Sequence, residues 1–404
     1  MVETLMSEPY LPREILDYII DLLRNERETL KRCCLVSKPW VPRTRKHLFA
    51  YIQFRSSSDL ESWKTTFPDV ANSPACHARE LLVNCPWRVV AADAEDGGWI
   101  RAFSDVTSLE VTMDNGGRHF STSAFSLTPF HNFSPALKSL HVDPFLFQYP
   151  KLSDLVCSFP LLENLSLSGH YRPWYHDDNP HGPQTAISST SPALCGNLNL
   201  HVLGGGAEGV ARQLLDLPNG LHFRHLALSW DPVEDVRWVM ELATQCSHSL
   251  ESLDVTRTFC GTSIRIWSTP ITKILLPAES NPNSFNLSKA TKLRDVVFRS
   301  GSQGVEWITI ALQTIAPQHQ DLRTISIHLP SHLAAFDVDS NIKKTLGEVT
   351  SGRWSDLDYL LVQFWESRSI RPRVGCLRGR KQNIDYCIGC LLPEVTKRGI
   401  VDPI

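Results

Sequence analysis

The sequence lacks the features that mark a membrane, secreted or nucleic-acid-binding protein. It has no run of about twenty apolar residues, the length that a membrane-spanning helix needs, and Glu3 and Glu8 are unlike a secretory signal. The net charge is only −3, so we expect no general affinity for nucleic acid or a membrane surface. The eleven cysteines are scattered and odd in number. They favour reduced thiols and a cytoplasmic or nuclear protein.

The sequence also has few signs of catalytic chemistry. It contains no Gly-x-Ser-x-Gly elbow, P-loop or His-Glu-x-x-His motif. The His and Asp residues of 170–181 and the Cys387-x-x-Cys390 pair fit no standard zinc pattern. Gly204–Gly209 does match the dinucleotide-binding Gly-x-Gly-x-x-Gly, with Asp231 beyond the next strand. We predict no enzyme activity, no metal and no cofactor, with a nucleotide-binding enzyme as an alternative.

What the chain does have is an apolar helical segment near its start. Between residues 11 and 55, apolar side chains recur at helical spacing in two or three short segments, and Pro39 and Pro42 end the second of them. About 45 residues this apolar cannot bury all of their own surface. Part of that surface must face either the rest of the chain, as a cap on the next domain, or a partner.

The order and spacing of this segment resemble an F-box. The matching residues are Leu11-Pro12, Glu14-Ile15-Leu16, Ile19 and Leu23, followed by Leu35-Val36-Ser37-Lys38 and Trp40. The form is similar to F-box proteins of large fungal families, and the charged link 24–28 is a departure from it.

The resemblance implies docking onto the Skp-type adaptor of a cullin–RING ubiquitin ligase. It assigns the adaptor-facing or module-shaping residues as Leu11, Pro12, Ile15, Leu16, Ile19, Leu35, Val36 and Trp40.

Beyond residue 60 the pattern apolar-x-x-apolar-x-apolar returns ten times, at intervals of 25 to 43 residues. The copies begin at Ala78, Val106, Leu137, Leu162, Cys195, Phe223, Leu250, Leu293, Leu322 and Leu357. Each copy ends in the alternation of a half-buried strand, and helix-like segments follow several of them. Such recurrence is typical of a solenoid and resembles a leucine-rich repeat, although the spacing is irregular and the usual asparagine is missing.

If these strands lie side by side, the residues between the apolar positions share one open face, and such faces commonly bind proteins. We predict substrate contacts there from His141, Asn164, Ser166, Asn199, His201, Asp254, Arg299, Ser326, His328 and Tyr359. Trp174 and Tyr175, in the turn-rich insertion 170–192, are further candidates.

The sequence therefore predicts an α/β protein with an F-box helical module at residues 1–55 and a leucine-rich-repeat-like solenoid with a parallel sheet at 56–404. The expected function is a non-catalytic substrate receptor of a Skp–cullin–F-box ubiquitin ligase. Its expected partners are the adaptor, the cullin and a protein substrate. A ligase-independent interaction scaffold is the second interpretation.

Overall fold

The computed structural model describes most of the chain in separate stretches. These are residues 11–84, 98–112, 133–143, 152–170, 194–203, 207–230, 237–257, 286–299, 305–315, 319–329, 354–376 and 381–403. The chain divides into two compact units. The first comprises residues 1–141 with 158–161, and the second comprises 142–157 with 162–404.

Three helices open the first unit, as the apolar periodicity predicts. They are α1 (Arg13–Leu22), α2 (Arg27–Val36) and α3 (Val41–Leu48), with a 3₁₀ turn at Lys38–Trp40 between the last two. Helix α1 begins after Pro12, whose carbonyl accepts the first helical hydrogen bonds. Helix α2 ends at Val36, three residues before Pro39, because a proline lacks the backbone N–H of a helical residue and its ring clashes with the preceding turn. The predicted helices here are confirmed.

The strands of the first unit begin earlier than the sequence suggests. Strand β1 (Tyr51–Phe54) pairs in parallel with β2 (Glu80–Asn84), which pairs in parallel with β3 (Ser108–Thr112). At the start of strand β4 (Ser139–Asp143), the backbone N–H of Ser139 donates to the carbonyl of Thr107. Strand β1 falls inside the range 1–55 that the sequence assigns to a helical module.

An aromatic cluster fills the core of the first unit. Its members lie on or next to β1, α4 (Ser57–Thr66) and α5 (Gly98–Arg101). The rings are Phe49, Phe54, Trp63, Phe67, Trp99 and Phe103. Ring centroids lie 4.7 to 6.3 Å apart, mostly edge to face. Such pairs favour a single packed arrangement over a looser apolar cluster.

The second unit repeats one pairing rule along the chain. Its strands are β5 (Asn164–His170), β6 (Asn197–Leu203), β7 (His225–Trp230), β8 (Ser252–Arg257), β9 (Asp295–Arg299), β10 (Thr324–Leu329), β11 (Arg373–Cys376) and β12 (Asp402–Pro403). Each strand from β5 to β11 pairs in parallel with the next in sequence. With its helices, the described structure is α/β with parallel strands, as predicted.

The register of these strands follows the apolar pattern. Leu198 lies opposite Leu226, Leu226 opposite Leu253, and Leu253 opposite Val296. The last apolar positions align in the same way, from Leu200 to Ile327. These side chains are buried. Their burial fixes the register, because a shift of one residue would move the whole apolar set of a strand to the other face of the sheet.

A hydrogen-bond motif also recurs at the second position of the pattern. There one carbonyl accepts two backbone N–H groups from the next copy, as Glu251 does from Arg294 and Asp295. Ala50 accepts in the same way from Arg79 and Glu80. Phe49–Phe54 is therefore another copy of the pattern, one that the sequence analysis missed.

Gly196 occupies this second position where two copies come close. Its N–H donates to the Glu163 carbonyl at 3.0 Å. A Cβ atom at residue 196 would lie 2.6 Å from Asn164 Oδ1 and 2.7 Å from the Glu163 carbonyl oxygen. Asn164 Oδ1 in turn accepts from the backbone N–H of Asn197 at 3.0 Å. A larger residue at 196 would push apart β5 and β6.

Helices lie between several strands of the second unit. They are α6 (Leu152–Cys157), α7 (Ala207–Leu215), α8 (Arg237–Gln245) and α9 (Glu306–Gln313). Val305, Ile308, Leu312 and Ile315, which recur at helical spacing, are buried, and so are Met240 and Ala243.

The tenth predicted strand is wrong. Leu357–Val362 lies within α10 (Trp354–Arg368), where Leu357, Leu361 and Phe364 are buried. Apolar residues three apart suit a helix as well as the repeat pattern, so the local signal did not separate the two. The strand that follows β10 is β11, which lies after this helix.

A buried carboxylate on α10 links that helix to α12 (Pro393–Lys397), which follows α11 (Lys381–Leu391). Asp358 on α10 accepts from the backbone N–H groups of Glu394 at 2.8 Å and Val395 at 3.0 Å. It supplies hydrogen-bond acceptors to the first turn of α12, which has no side-chain cap of its own.

Candidate functional site

Helix α1 exposes most of its apolar face. Leu11 before the helix and Ile15 and Ile19 within it are 52%, 46% and 40% exposed, at a spacing of four residues. Tyr18 and Leu22 are exposed beside them. Only Ile20 of this helix is buried. The hydrophobic stripe that drives most surface helices into a core is therefore left open to water here.

The end of helix α2 is a second exposed apolar stretch. Leu35 is 87% exposed and Val36 is 68% exposed, whereas Leu30 and Cys33 on the same helix are buried. The 3₁₀ turn Lys38–Trp40 contacts both α1 and α2. We call Leu11, Ile15, Tyr18, Ile19, Leu22, Leu35 and Val36 the module surface.

A charged cluster fixes α1 against α3. Asp21 accepts from Arg43 Nε at 2.6 Å, forms a second bond with Arg43 Nη2, and contacts His47 Nε2 at 2.7 Å. The hydrogen bonds from Arg43 hold the pKa of Asp21 well below its usual range. Thr44 is buried and donates to the Trp40 carbonyl at 2.7 Å. The orientation of α1, and thus of the module surface, depends on this cluster.

The structure places the residues predicted to face the adaptor in two groups. Leu16 and Trp40 are half-buried, which suits residues that shape the module. The exposed group is Leu11, Pro12, Ile15, Ile19, Leu35 and Val36. Tyr18 and Leu22 are also exposed on α1 but are not among the residues that the F-box resemblance assigns to the adaptor, although they lie at the usual helical spacing of three and seven residues after Ile15.

Polar side chains line the sheet face opposite the buried apolar positions. In the second unit these include Asn164, Ser166, Asn199, His201, Asp254, Arg299, Ser326 and His328, all on strands as predicted. His141 is on β4. Tyr359, expected on a strand, is exposed on α10 instead. Trp174 and Tyr175 lie outside the described residues.

Three charged or titratable groups meet on β8 to β10. Arg299 donates to both carboxylate oxygens of Asp254, at 3.0 and 2.6 Å. These bonds raise the pKa of Arg299. His328, opposite Arg299 in the next strand, is buried, and burial is the main reason why its pKa is lowered.

The alternative chemistries gain no support from the described residues. Gly204–Gly206 and Asp231 lie outside them, and Gly209 is inside α7. No group of three His, Cys, Asp or Glu side chains suited to a metal ion occurs in the described stretches. Cys387 and Cys390 are on α11, the first buried and the second exposed. None of the helices described is both long and apolar enough to cross a membrane.

In comparisons with known proteins, no family model and no curated protein matches the chain.

Proposed function

We propose that the chain is the non-catalytic substrate receptor of a Skp–cullin–F-box ubiquitin ligase, and that the module surface binds the adaptor. The observation that carries the proposal is the exposure of α1 and of the end of α2. Seven of the twelve exposed large apolar side chains in the described residues lie between Leu11 and Val36. Single exposed apolar residues are ordinary, whereas a concentration of this kind is typical of an interaction surface and supports the proposal.

The F-box resemblance supports the identity of the partner. The residues that it assigns to the adaptor include Leu11, Ile15, Ile19, Leu35 and Val36, which are all exposed. Covering a Leu or Ile side chain contributes about 1.5–3 kcal/mol. Several such side chains offset the loss of translational and rotational freedom on association.

We further propose that the strands and helices after the module form a leucine-rich-repeat-like solenoid whose polar face binds a protein substrate. The parallel pairing in sequence order, the shared register and the recurring carbonyl motif support this. The receptor needs no catalytic residue of its own, because holding a substrate near the transferring enzyme raises its effective concentration. The proposal places the chain in the cytoplasm or nucleus.

The proposal is tested with purified Skp-type adaptor and the double variant Leu11→Ala, Pro12→Ala. Both residues are exposed, so the variant should fold normally and lose adaptor binding in calorimetry. The matched control is Leu161→Ala, also 52% exposed in the first unit but distant in sequence from the module. Full binding by the double variant would count against the module surface. Copurification of adaptor without cullin from cells would favour the ligase-independent scaffold instead.

A further inference from the structure

Within the described residues, the polar face of the second unit carries a charged cluster that two hydrogen bonds hold in place. In β8 to β10 the register places Arg299 between Thr256 and His328, and Val297 between Asp254 and Ser326. The Arg299 side chain therefore reaches diagonally from β9 to Asp254 on β8. The three side chains Asp254, Arg299 and His328 are here called the β8–β10 cluster.

The Arg299 guanidinium has a fixed orientation. Both of its bonds to Asp254 are charge-assisted, and both side chains are less than one third exposed. These bonds use Nε and Nη2 and do not involve Nη1. An arginine held in this way presents its remaining N–H groups without first losing side-chain freedom.

The imidazole of His328 is a second polar group that indicates a binding site here. The residue is only 8% exposed, and its Nδ1 atom is buried with no hydrogen-bond partner among the residues that the structure describes. His328 lies directly opposite Arg299 in the paired strands β9 and β10. Its partner residue on the neighbouring strand β11 is Gly375, which has no side chain to fill this position. When Nδ1 carries a proton, it needs an acceptor oxygen.

We propose that the β8–β10 cluster binds one anionic side chain, a carboxylate or a phosphoryl group, of the polypeptide that lies on this face. The proposal deepens the proposed function and rests on it, because it names the class of substrate group that the face recognises. Arg299 donates to the anionic oxygens and His328 donates to the same group. Asp254 orients the guanidinium through its two hydrogen bonds and does not contact the ligand.

The test is a titration of the full chain labelled with ¹³C at histidine Cε1, with the His328 signal identified by its loss in His328→Gln. The probes are three capped tripeptides, Ac-Gly-Asp-Gly-NH₂, Ac-Gly-phosphoserine-Gly-NH₂ and neutral Ac-Gly-Asn-Gly-NH₂, at constant ionic strength. We expect a saturable shift with at least one anionic peptide, with a dissociation constant on the order of 1–10 mM. The neutral peptide should bind about tenfold more weakly or not at all. The anionic arm that binds more tightly identifies the group as carboxylate or phosphoryl.

Two variants separate the cluster from general electrostatics. The double variant Asp254→Asn, Arg299→Gln leaves no unpaired charge and should abolish the shift. Arg294→Gln removes an ion pair with Glu251 between the same two chain segments and should retain it. The inference is overturned if neither anionic peptide gives a saturable shift, if the neutral peptide binds equally well, or if the double variant still binds.

Adaptor binding is measured on the same preparation. A chain that binds the adaptor but no anionic peptide loses only this inference. A chain that binds an anionic peptide but no adaptor loses the ligase proposal and retains the anion site.

Discussion

Truncation of Leu35 to alanine separates binding from folding more sharply than any other change in the module. Leu35 is 87% exposed at the end of α2, so its side chain makes few contacts within the chain. Alanine also has a slightly higher helix propensity than leucine. We expect the free energy of unfolding to change by less than about 0.5 kcal/mol.

The same change should weaken the adaptor complex strongly. It removes three carbon atoms, and each methylene buried in an interface contributes about 0.8 kcal/mol. The expected loss is therefore about 2 kcal/mol, which corresponds to a dissociation constant roughly thirtyfold higher. Isothermal titration of purified adaptor measures the loss, and urea unfolding measures stability on the same preparation.

Leu30 is the matched control, because it lies on the same helix and is only 1% exposed. Leu30→Ala should cost about 2–5 kcal/mol in folding, while the fraction that remains folded binds the adaptor with nearly unchanged affinity. The reasoning is refuted if Leu35→Ala binds as tightly as the original chain. It is equally refuted if Leu35→Ala loses several kcal/mol of stability, since that side chain would then be buried.

Three further predictions concern the contacts that hold the fold. The hydrogen bonds that lower the pKa of Asp21 stabilise the fold at any pH above the pKa of this group in the unfolded chain, which is near 4. Because the Asp21 side chain is 35% exposed, we expect a contribution of only about 1 kcal/mol to the free energy of unfolding. The stability difference between the original chain and Asp21→Asn, measured by urea unfolding, should be full at pH 7 and shrink as the pH falls below about 4, and a constant difference would contradict this. Gly196→Ala should destabilise by about 1–3 kcal/mol, whereas Gly389→Ala, in a helix with the nearest side-chain atom 4.0 Å away, should be neutral or stabilise by up to about 1 kcal/mol. Asp358→Ala should cost about 1–3 kcal/mol because two backbone N–H groups lose their acceptor, and exposed Asp356→Ala on the same helix should cost under about 0.5 kcal/mol; equal midpoints in urea for these last two variants would refute the capping role.

Where a copy of the apolar pattern forms a strand, the pattern also predicts the register of that strand with its neighbour. Leu226 and Leu253 were matched as equivalent positions from sequence, and they lie opposite each other in neighbouring strands. The reason is that side chains alternate across a sheet, so equal patterns in parallel strands bury equal positions.

The pattern failed where helix and strand share the same short spacing. Leu357 and Leu360 fit the repeat, yet they belong to α10. Phe49–Phe54 also fits, but it was assigned to the helical module because the preceding residues are helical. Six residues with three apolar positions are too few to distinguish the two periods without knowledge of what packs against them.

Some features of the candidate site follow from the sequence alone, and others depend on the tertiary structure. The spacing of apolar residues in α1 and the order of the segments from Leu11 to Trp40 are properties of the sequence alone, and so is the polar character of the positions between the strand leucines. Tertiary structure alone decided that Leu35 is open to water while Leu30 is buried, and that Arg299 on one strand reaches Asp254 on another. A local pattern states which residues are equivalent, but exposure and pairing depend on residues that are distant in sequence and meet only when the chain folds.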